Sequence, residues 1–92
     1  MFFTFEGIEG CGKTTQAKRL VDHLVYLEIP VMLTLEPGGT QICRDIRKIL
    51  LNTKNKALSP LAELLLYAAD RAQHVEEMIS PALSQGKWVV CD

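Results

Sequence analysis

The sequence predicts an α/β protein built on a parallel sheet with helices packed on its faces, a three-layer arrangement. Three observations carry that expectation. Short apolar runs alternate with amphipathic stretches in the order strand, loop, helix, strand, loop, helix, long helix, strand. The first apolar run leads into Gly7-Ile8-Glu9-Gly10-Cys11-Gly12-Lys13-Thr14, which fits G-x-x-x-x-G-K-[ST] between a strand and a helix. A second glycine-rich turn, Glu36-Pro37-Gly38-Gly39-Thr40, follows the second apolar run. Strands that alternate with helices pair in parallel through right-handed crossovers, the doubly wound class.

Phe2-Phe3-Thr4-Phe5 reads as the first strand. The helix beyond the loop runs from about Lys13 to Leu27, with Ala17, Leu20, Val21 and Leu24 on one face. Glu28-Ile29-Pro30 ends it, because the residue before a proline is pushed out of the helical region. Val31-Met32-Leu33-Thr34-Leu35 suits a strand covered on both faces. Thr40 is placed to cap a helix reaching about Leu51, with Ile42, Ile46, Ile49 and Leu50 facing inward and Arg47 on the other side. Asn52-Thr53-Lys54-Asn55-Lys56 reads as a mobile surface loop.

Ser59-Pro60 supplies an N-cap and a proline at the first helical position. The long helix that follows has its expected inward stripe at Leu61, Leu64, Leu65, Ala68, Ala72 and Val75. Pro81 kinks it or separates a short last turn, Gly86 stops it, and Trp88-Val89-Val90-Cys91 reads as the third strand. A parallel sheet ending there leaves an edge exposed and half of its faces uncovered. The expectation is therefore a fragment, or one piece of a longer protein.

At 92 residues the chain is one domain at most, and 48% hydrophobic residues are ample for a core. A formal net charge of −1 gives no pull toward nucleic acid or membrane, and no window is apolar for long enough to span a bilayer. Met1-Phe2-Phe3-Thr4 has no basic leader, so no signal peptide is expected. Cys11, Cys43 and Cys91 are odd in number and form no C-x-x-C, which points to free thiols in a reducing, cytoplasmic setting. Cys11 lies beside Lys13 at a helix start, where a thiol pKa tends to fall; a passive small residue is the preferred reading and a reactive thiol the other.

The loop's residue types match the chemistry of phosphate binding. Successive main-chain amides and the positive end of a helix converge on one concavity. Gly7 and Gly12 let the chain pass close to an anion, Lys13 is a point charge for the outer phosphates, and Thr15 can donate to an inner one. The Thr14 hydroxyl is placed to ligate Mg²⁺, and Asp92, ending a buried strand, resembles the carboxylate kept near that ion. An accidental match in so short a chain has odds of roughly 0.3%, so a solvated glycine turn is the weaker reading.

The second glycine-rich turn falls at the carboxyl end of a strand, where open α/β sheets bind ligands, and suggests a second substrate. On the long helix Tyr67, Arg71 and His74 fall at i, i+4 and i+7. A ring one turn from a guanidinium can stack on a base while the arginine reads its edge or a phosphate.

These residues resemble the thymidylate kinases, in their bacterial form. The resemblance rests on Phe5 through Thr15, on Glu36-Pro37-Gly38-Gly39-Thr40, on Tyr67-Ala68-Ala69-Asp70-Arg71-Ala72-Gln73-His74, and on Trp88-Val89-Val90-Cys91-Asp92. It covers the whole chain and about the N-terminal half of the family. It implies a P-loop NTPase fold and transfer of a phosphoryl group from ATP, with Mg²⁺, to dTMP. By position, Lys13, Glu9 and Asp92 would be catalytic, and Gly7, Ile8, Glu9, Gly10, Cys11, Gly12, Lys13, Thr14 and Thr15 would bind ATP. Glu9 would take the deoxyribose 3′-hydroxyl, Arg47 the acceptor phosphate, Tyr67 the thymine face and Arg71 its edge, with Glu36, Pro37 and Gly38 lining the same site. Thr14 and Asp92 would hold the metal. The resemblance also implies a homodimer through long helices, with the helix from Pro60 the place to look.

The chain departs from the family pattern at Leu35, where arginine is usual, and at Arg44, where an acidic residue is frequent although Asp45 is adjacent. Gly10 stands where some members carry a loop arginine, so the resemblance assigns the catalytic cation to a lid beyond Asp92. Such an arginine is worth ~10³–10⁵ in rate, so the fragment should bind better than it turns over. Each role has a plain competitor. Tyr67 could be core packing, Arg47 and Arg71 solvated charges or ion-pair partners (Arg71 with Glu63 or Asp70), Glu9 a solvated carboxylate, and Glu6 and His74 structural. Three other functions remain open: a GTP-hydrolysing switch, a kinase for another nucleoside monophosphate, and a nucleotide holder without turnover.

Overall fold

The computed structural model describes residues 1–7 and 12–92. They form two compact units, one made of Met1–Leu35 and Ile79–Asp92, the other of Glu36–Met78.

The first unit is a parallel sheet with helices. Its strands are β1 (Phe2–Thr4), β2 (Val31–Thr34) and β3 (Trp88–Cys91), in the order β1-β3-β2. Phe2 aligns with Val89 on one side of β3, and Val31 with Trp88 on the other. Between β1 and β2 runs α1 (Lys13–Tyr26), which packs on β2 and β3. Its inward face is the expected one: Ala17 and Leu24 are buried beside Val90, with Phe3, Phe5, Leu20, Val21, Ile29, Val31 and Trp88 around them. The rings of Phe3 and Trp88 lie tilted with centroids 5.8 Å apart. Burying a leucine in such a cluster is worth about 1.5–3 kcal/mol.

α1 closes as Pro30 requires, without glycine. Glu28 takes φ 60, its N–H donates to the Val25 carbonyl, and the Ile29 N–H reaches back to Leu24. This double closure ties the helix end to the core, since Ile29 packs beside Leu24.

Burial on both faces belongs to β3 rather than to β2. Val89 and Val90 point to opposite faces and both are fully buried, whereas Leu33 of β2 is 41% exposed. The reason is position: β3 is central, with a strand on either side, and β2 is an edge.

The second unit pairs α2 (Gln41–Leu51) with α3 (Pro60–His74). Both caps form as the sequence predicts. Thr40 Oγ1 accepts from the Cys43 N–H at 3.1 Å, and Ser59 Oγ from that of Ala62 at 3.1 Å. The segment 52–58 between them is exposed except for a half-buried Leu58. It is tied by the Asn55 side chain donating to the Ile49 carbonyl and by Asn52 accepting from the Lys54 N–H.

The inward faces of both helices differ from expectation. Leu61, Leu64 and Leu65 are 66%, 64% and 59% exposed, Ala68 and Ala72 are exposed, and Val75 is half-buried. The inward positions of α3 are instead Ala62, Leu66, Asp70, Gln73 and His74, with Asp70 and His74 fully buried. On α2, Ile42 and Ile49 are exposed, while Cys43, Ile46, Arg47 and Leu50 turn inward. Arg47 therefore lies on the inward side, contrary to the sequence reading. Both helices have two usable faces, and the polar groups of α3 find partners within this unit.

α3 passes through a π-helical turn, Val75–Ile79, into α4 (Ser80–Ser84), which packs on β3. Pro81 supplies the cause: it has no N–H for the carbonyl one turn earlier, and its ring crowds that carbonyl. Gly86 follows at φ 81. Among the described residues no helix is long and apolar enough to cross a membrane.

Candidate functional site

In the first unit the site begins at a helix without a cap. Gly12 occupies the N-cap of α1 at φ 85, and no side chain among the described residues caps the helix there. α2 and α3 spend a hydroxyl on that task; α1 leaves its first-turn amides facing outward with the positive end of its dipole. A Cβ at Gly12 would meet nothing within 4 Å, so the glycine is required by its backbone angle and not by crowding.

The next two side chains converge on the end of β3. Thr14 donates its hydroxyl to Asp92 Oδ2 at 2.7 Å, and Lys13 Nζ lies 3.4 Å from Asp92 Oδ1. The Asp92 N–H donates to the Thr34 carbonyl at 2.9 Å, which fixes the carboxylate at the sheet's carboxyl edge. Oδ1 is buried and accepts no hydrogen bond among the described residues, the lysine contact being an ion pair without hydrogen-bond alignment. An all-oxygen set with a vacant acceptor on a part-buried carboxylate fits a small hard cation. Gly7 lies just past β1 and Thr15 in the exposed first turn of α1. The expectations for Ile8, Glu9, Gly10 and Cys11 lie outside the described residues.

The second unit carries the other predicted residues. Glu36-Pro37-Gly38 opens it, with a cis peptide between Glu36 and Pro37. Gly38 takes φ 106 and donates its N–H to Asp70 Oδ1 at 3.0 Å. A Cβ there would come within 3.0 Å of Arg47 Cδ, so any side chain would displace that arginine's stem. Arg47 Nη1 donates to the Pro37 carbonyl at 2.9 Å.

Glu36 is held at both ends. Arg71 donates through Nε to Oε1 at 2.9 Å, with Nη2 also 2.9 Å from that oxygen. His74 Nδ1 lies 2.7 Å from Oε2. A carboxylate can only accept, so Nδ1 carries the proton. Arg71 is thus ion-paired with Glu36. Tyr67, one turn before Arg71, is 41% exposed, which places its ring at the surface rather than in the core. Of the departures from the family pattern, Leu35 is exposed, and Arg44 donates to the Gln41 side chain at the surface.

Two residues of this half-site escaped the sequence reading. The sequence offers Asp70 only as a possible partner for Arg71, yet it is the acceptor for Gly38. The sequence marks Cys43 only as a free thiol, yet it is fully buried and donates its S–H to the Asp70 carbonyl at 3.3 Å. Burial pushes the Cys43 thiol above its ordinary value of 9.0, Asp70 adds to the rise, and hydrogen bonding with Thr40 works against it. The signal for Asp70 was available: Asp70 and His74 are one turn apart on the face opposite the leucines.

A parallel sheet whose first strand leads to a glycine-capped helix, with lysine and threonine set against a strand-end aspartate, defines a phosphate-binding-loop protein. The family model for thymidylate kinase matches residues 5–92. A thymidylate kinase of Geotalea daltonii is 62% identical over 91 residues, covering 99% of this chain and 42% of that protein. One from Geobacter sulfurreducens is 59% identical over 91 residues, covering 99% and 43%. The crystal structure of thymidylate kinase from Ehrlichia chaffeensis superposes with a TM-score of 0.90 at 43% identity, over all of this chain and 53% of that one. The chain belongs to the thymidylate kinase family. It spans less than half the length of these curated relatives.

Proposed function

We propose that the protein containing this chain transfers a phosphoryl group from ATP to dTMP, giving dTDP. The observation that carries the reading is the convergence of Lys13 and Thr14 on Asp92 beside an uncapped helix start. In this proposal the first unit holds ATP. The amides from Gly7 to Thr15 cradle its phosphates, Lys13 neutralises the outer ones, and Glu9 orients the deoxyribose of the acceptor. Thr14 and Asp92 hold Mg²⁺, which supplies charge neutralisation on the phosphate oxygens. Lys13 is ion-paired with Asp92 here, so nucleotide binding exchanges one anionic partner of the ammonium for another.

The second unit holds dTMP. Tyr67 offers an exposed ring for stacking, Arg71 reads the base edge, and Arg47 takes the acceptor phosphate, with Glu36, Pro37 and Gly38 forming the wall. Phosphoryl transfer needs charge and alignment, and every side chain named supplies one or the other. The exposed leucines of α3 suit a homodimer formed through that helix, acting in the cytoplasm.

The test is a titration of dTMP, dUMP, AMP and GMP against the full-length protein with ATP and Mg²⁺. Turnover with dTMP is the expected result, and turnover with AMP but not dTMP would overturn the reading. Lys13→Ala should lower kcat by about 10³-fold or more while thermal melting stays close to that of the parent.

A further inference from the structure

The acceptor half-site contains a fully buried histidine to which the proposed reaction gives no task. His74 is 0% exposed, and its Nδ1 lies 2.7 Å from Glu36 Oε2. Glu36 is itself the residue that grips Arg71 through its other oxygen, at 2.9 Å from both Nε and Nη2. The two contacts differ in setting: the Arg71 side chain is 67% exposed, Glu36 15% and His74 0%.

We propose that His74 is a positioning residue for acceptor recognition: through Glu36 it fixes the direction in which Arg71 presents its guanidinium. The inference rests on the reading of Arg71 as the residue that meets the acceptor nucleotide. A mostly exposed arginine has several rotamers of similar energy and loses that freedom when it binds. A carboxylate holding Nε and Nη2 together selects one of them before the ligand arrives. That carboxylate can do so only if it does not itself swing. Glu36 sits at the start of a glycine-rich turn, and the hydrogen bond from a buried ring fixes its free end. The ring is anchored because it lies one turn beyond Asp70, which holds the Gly38 N–H of the same turn. Asp70 and His74 thus grip two points of a three-residue segment from one face of α3.

The chemistry separates positioning from packing. An asparagine at position 74 places its amide nitrogen near the Nδ1 position, whereas a glutamine places it near Nε2. Both are polar and similar in size, and only the first keeps the donor to Glu36. In the full-length protein, His74→Asn should keep the dTMP KM within about twofold. His74→Gln should raise it about tenfold and leave the ATP KM unchanged, the scale of one charge-assisted hydrogen bond. Adding His74→Gln to Arg71→Ala should cost little further, because the histidine acts through that arginine.

Equal dTMP KM values for the two variants, or a rise in the ATP KM by the same factor, would overturn the inference. So would full additivity with Arg71→Ala. If neither His74 variant folds, Glu36→Gln gives the same reading, since it offers one acceptor oxygen where two donors converge; an unchanged dTMP KM would overturn it. The assignment of the acceptor fails separately: if the parent protein prefers another monophosphate, the same KM comparison is made with that nucleotide.

Discussion

The two units are built from similar residue types and use them in opposite ways. In Met1–Leu35 with Ile79–Asp92, apolar side chains form the inside: Ala17, Leu24 and Val90 are buried within a ring of aromatic and branched residues. In Glu36–Met78 the deepest side chains are His74, Asp70 and Cys43, while six large aliphatic residues of α2 and α3 (Ile42, Ile49, Leu51, Leu61, Leu64 and Leu65) face outward. The first unit is held by area removed from water, which is non-directional and tolerates small shifts. The second is held by directed hydrogen bonds, each of which fixes a particular atom. The acceptor surface proposed above, which would aim two arginines, would gain from the second kind of construction.

The largest effect should come from a leucine pair, one from each unit. Leu24→Ala removes a buried side chain from the sheet core and should cost about 2–5 kcal/mol. Leu64→Ala makes the same chemical change at a position 64% exposed and should cost under about 1 kcal/mol at low protein concentration. Urea denaturation of the full-length protein measures both. If α3 docks on a second copy, the Leu64→Ala deficit grows with protein concentration and the Leu24→Ala deficit does not. Equal costs at every concentration would erase the distinction between the units.

A middle-sized effect should come from the anchor of the turn. Asp70→Ala leaves the Gly38 N–H without its acceptor and should cost about 1–3 kcal/mol. Asp70→Asn keeps an oxygen at the Oδ1 position and should recover more than half of that loss. Denaturation midpoints of the two variants check the pair. Similar losses would mean that charge, and not the hydrogen bond, holds the turn.

These contrasts explain what the sequence made legible. Helix and strand positions were readable nearly to the residue, because Thr40, Ser59, Pro60, Pro30 and Gly86 mark ends by local chemistry that needs no tertiary partner. The face of α1 was readable because its apolar positions form one stripe and its other positions are polar. The face of α3 was not, because its leucines form the stronger stripe and periodicity cannot say which surface covers them. The inward stripe carries Asp70 and His74, whose burial makes sense only once Gly38 and Glu36 are known to meet them. Lys13, Thr14 and Asp92 were readable as one set because phosphate and metal chemistry dictates their types. Tyr67 and Arg71 were readable as a stripe at helical spacing, but their proposed acceptor roles, and that of Arg47 on α2, rest on the resemblance, since such side chains are common on solvated faces.

The smallest effect should separate the units by pH. The Cys43 thiol is fully buried, and its pKa stands above the ordinary 9.0, chiefly because burial penalises the thiolate. In the unfolded chain the thiol ionises near that ordinary value; in the folded protein it keeps its proton to higher pH. The folded state therefore binds more protons than the unfolded state across that interval, and linkage makes stability fall as pH rises through it. Cys43→Ala removes the titration but keeps the alkaline behaviour of the other groups. The stability difference between parent and Cys43→Ala should be constant below pH 9.0 and should shrink above it. Denaturant titrations at a series of alkaline pH values give that difference directly. A difference that stays flat would mean that the folded protein exposes this thiol to water as readily as the unfolded chain does. The close packing of α2 on α3 at Thr40 and Asp70 would then be lost as the account of the second unit.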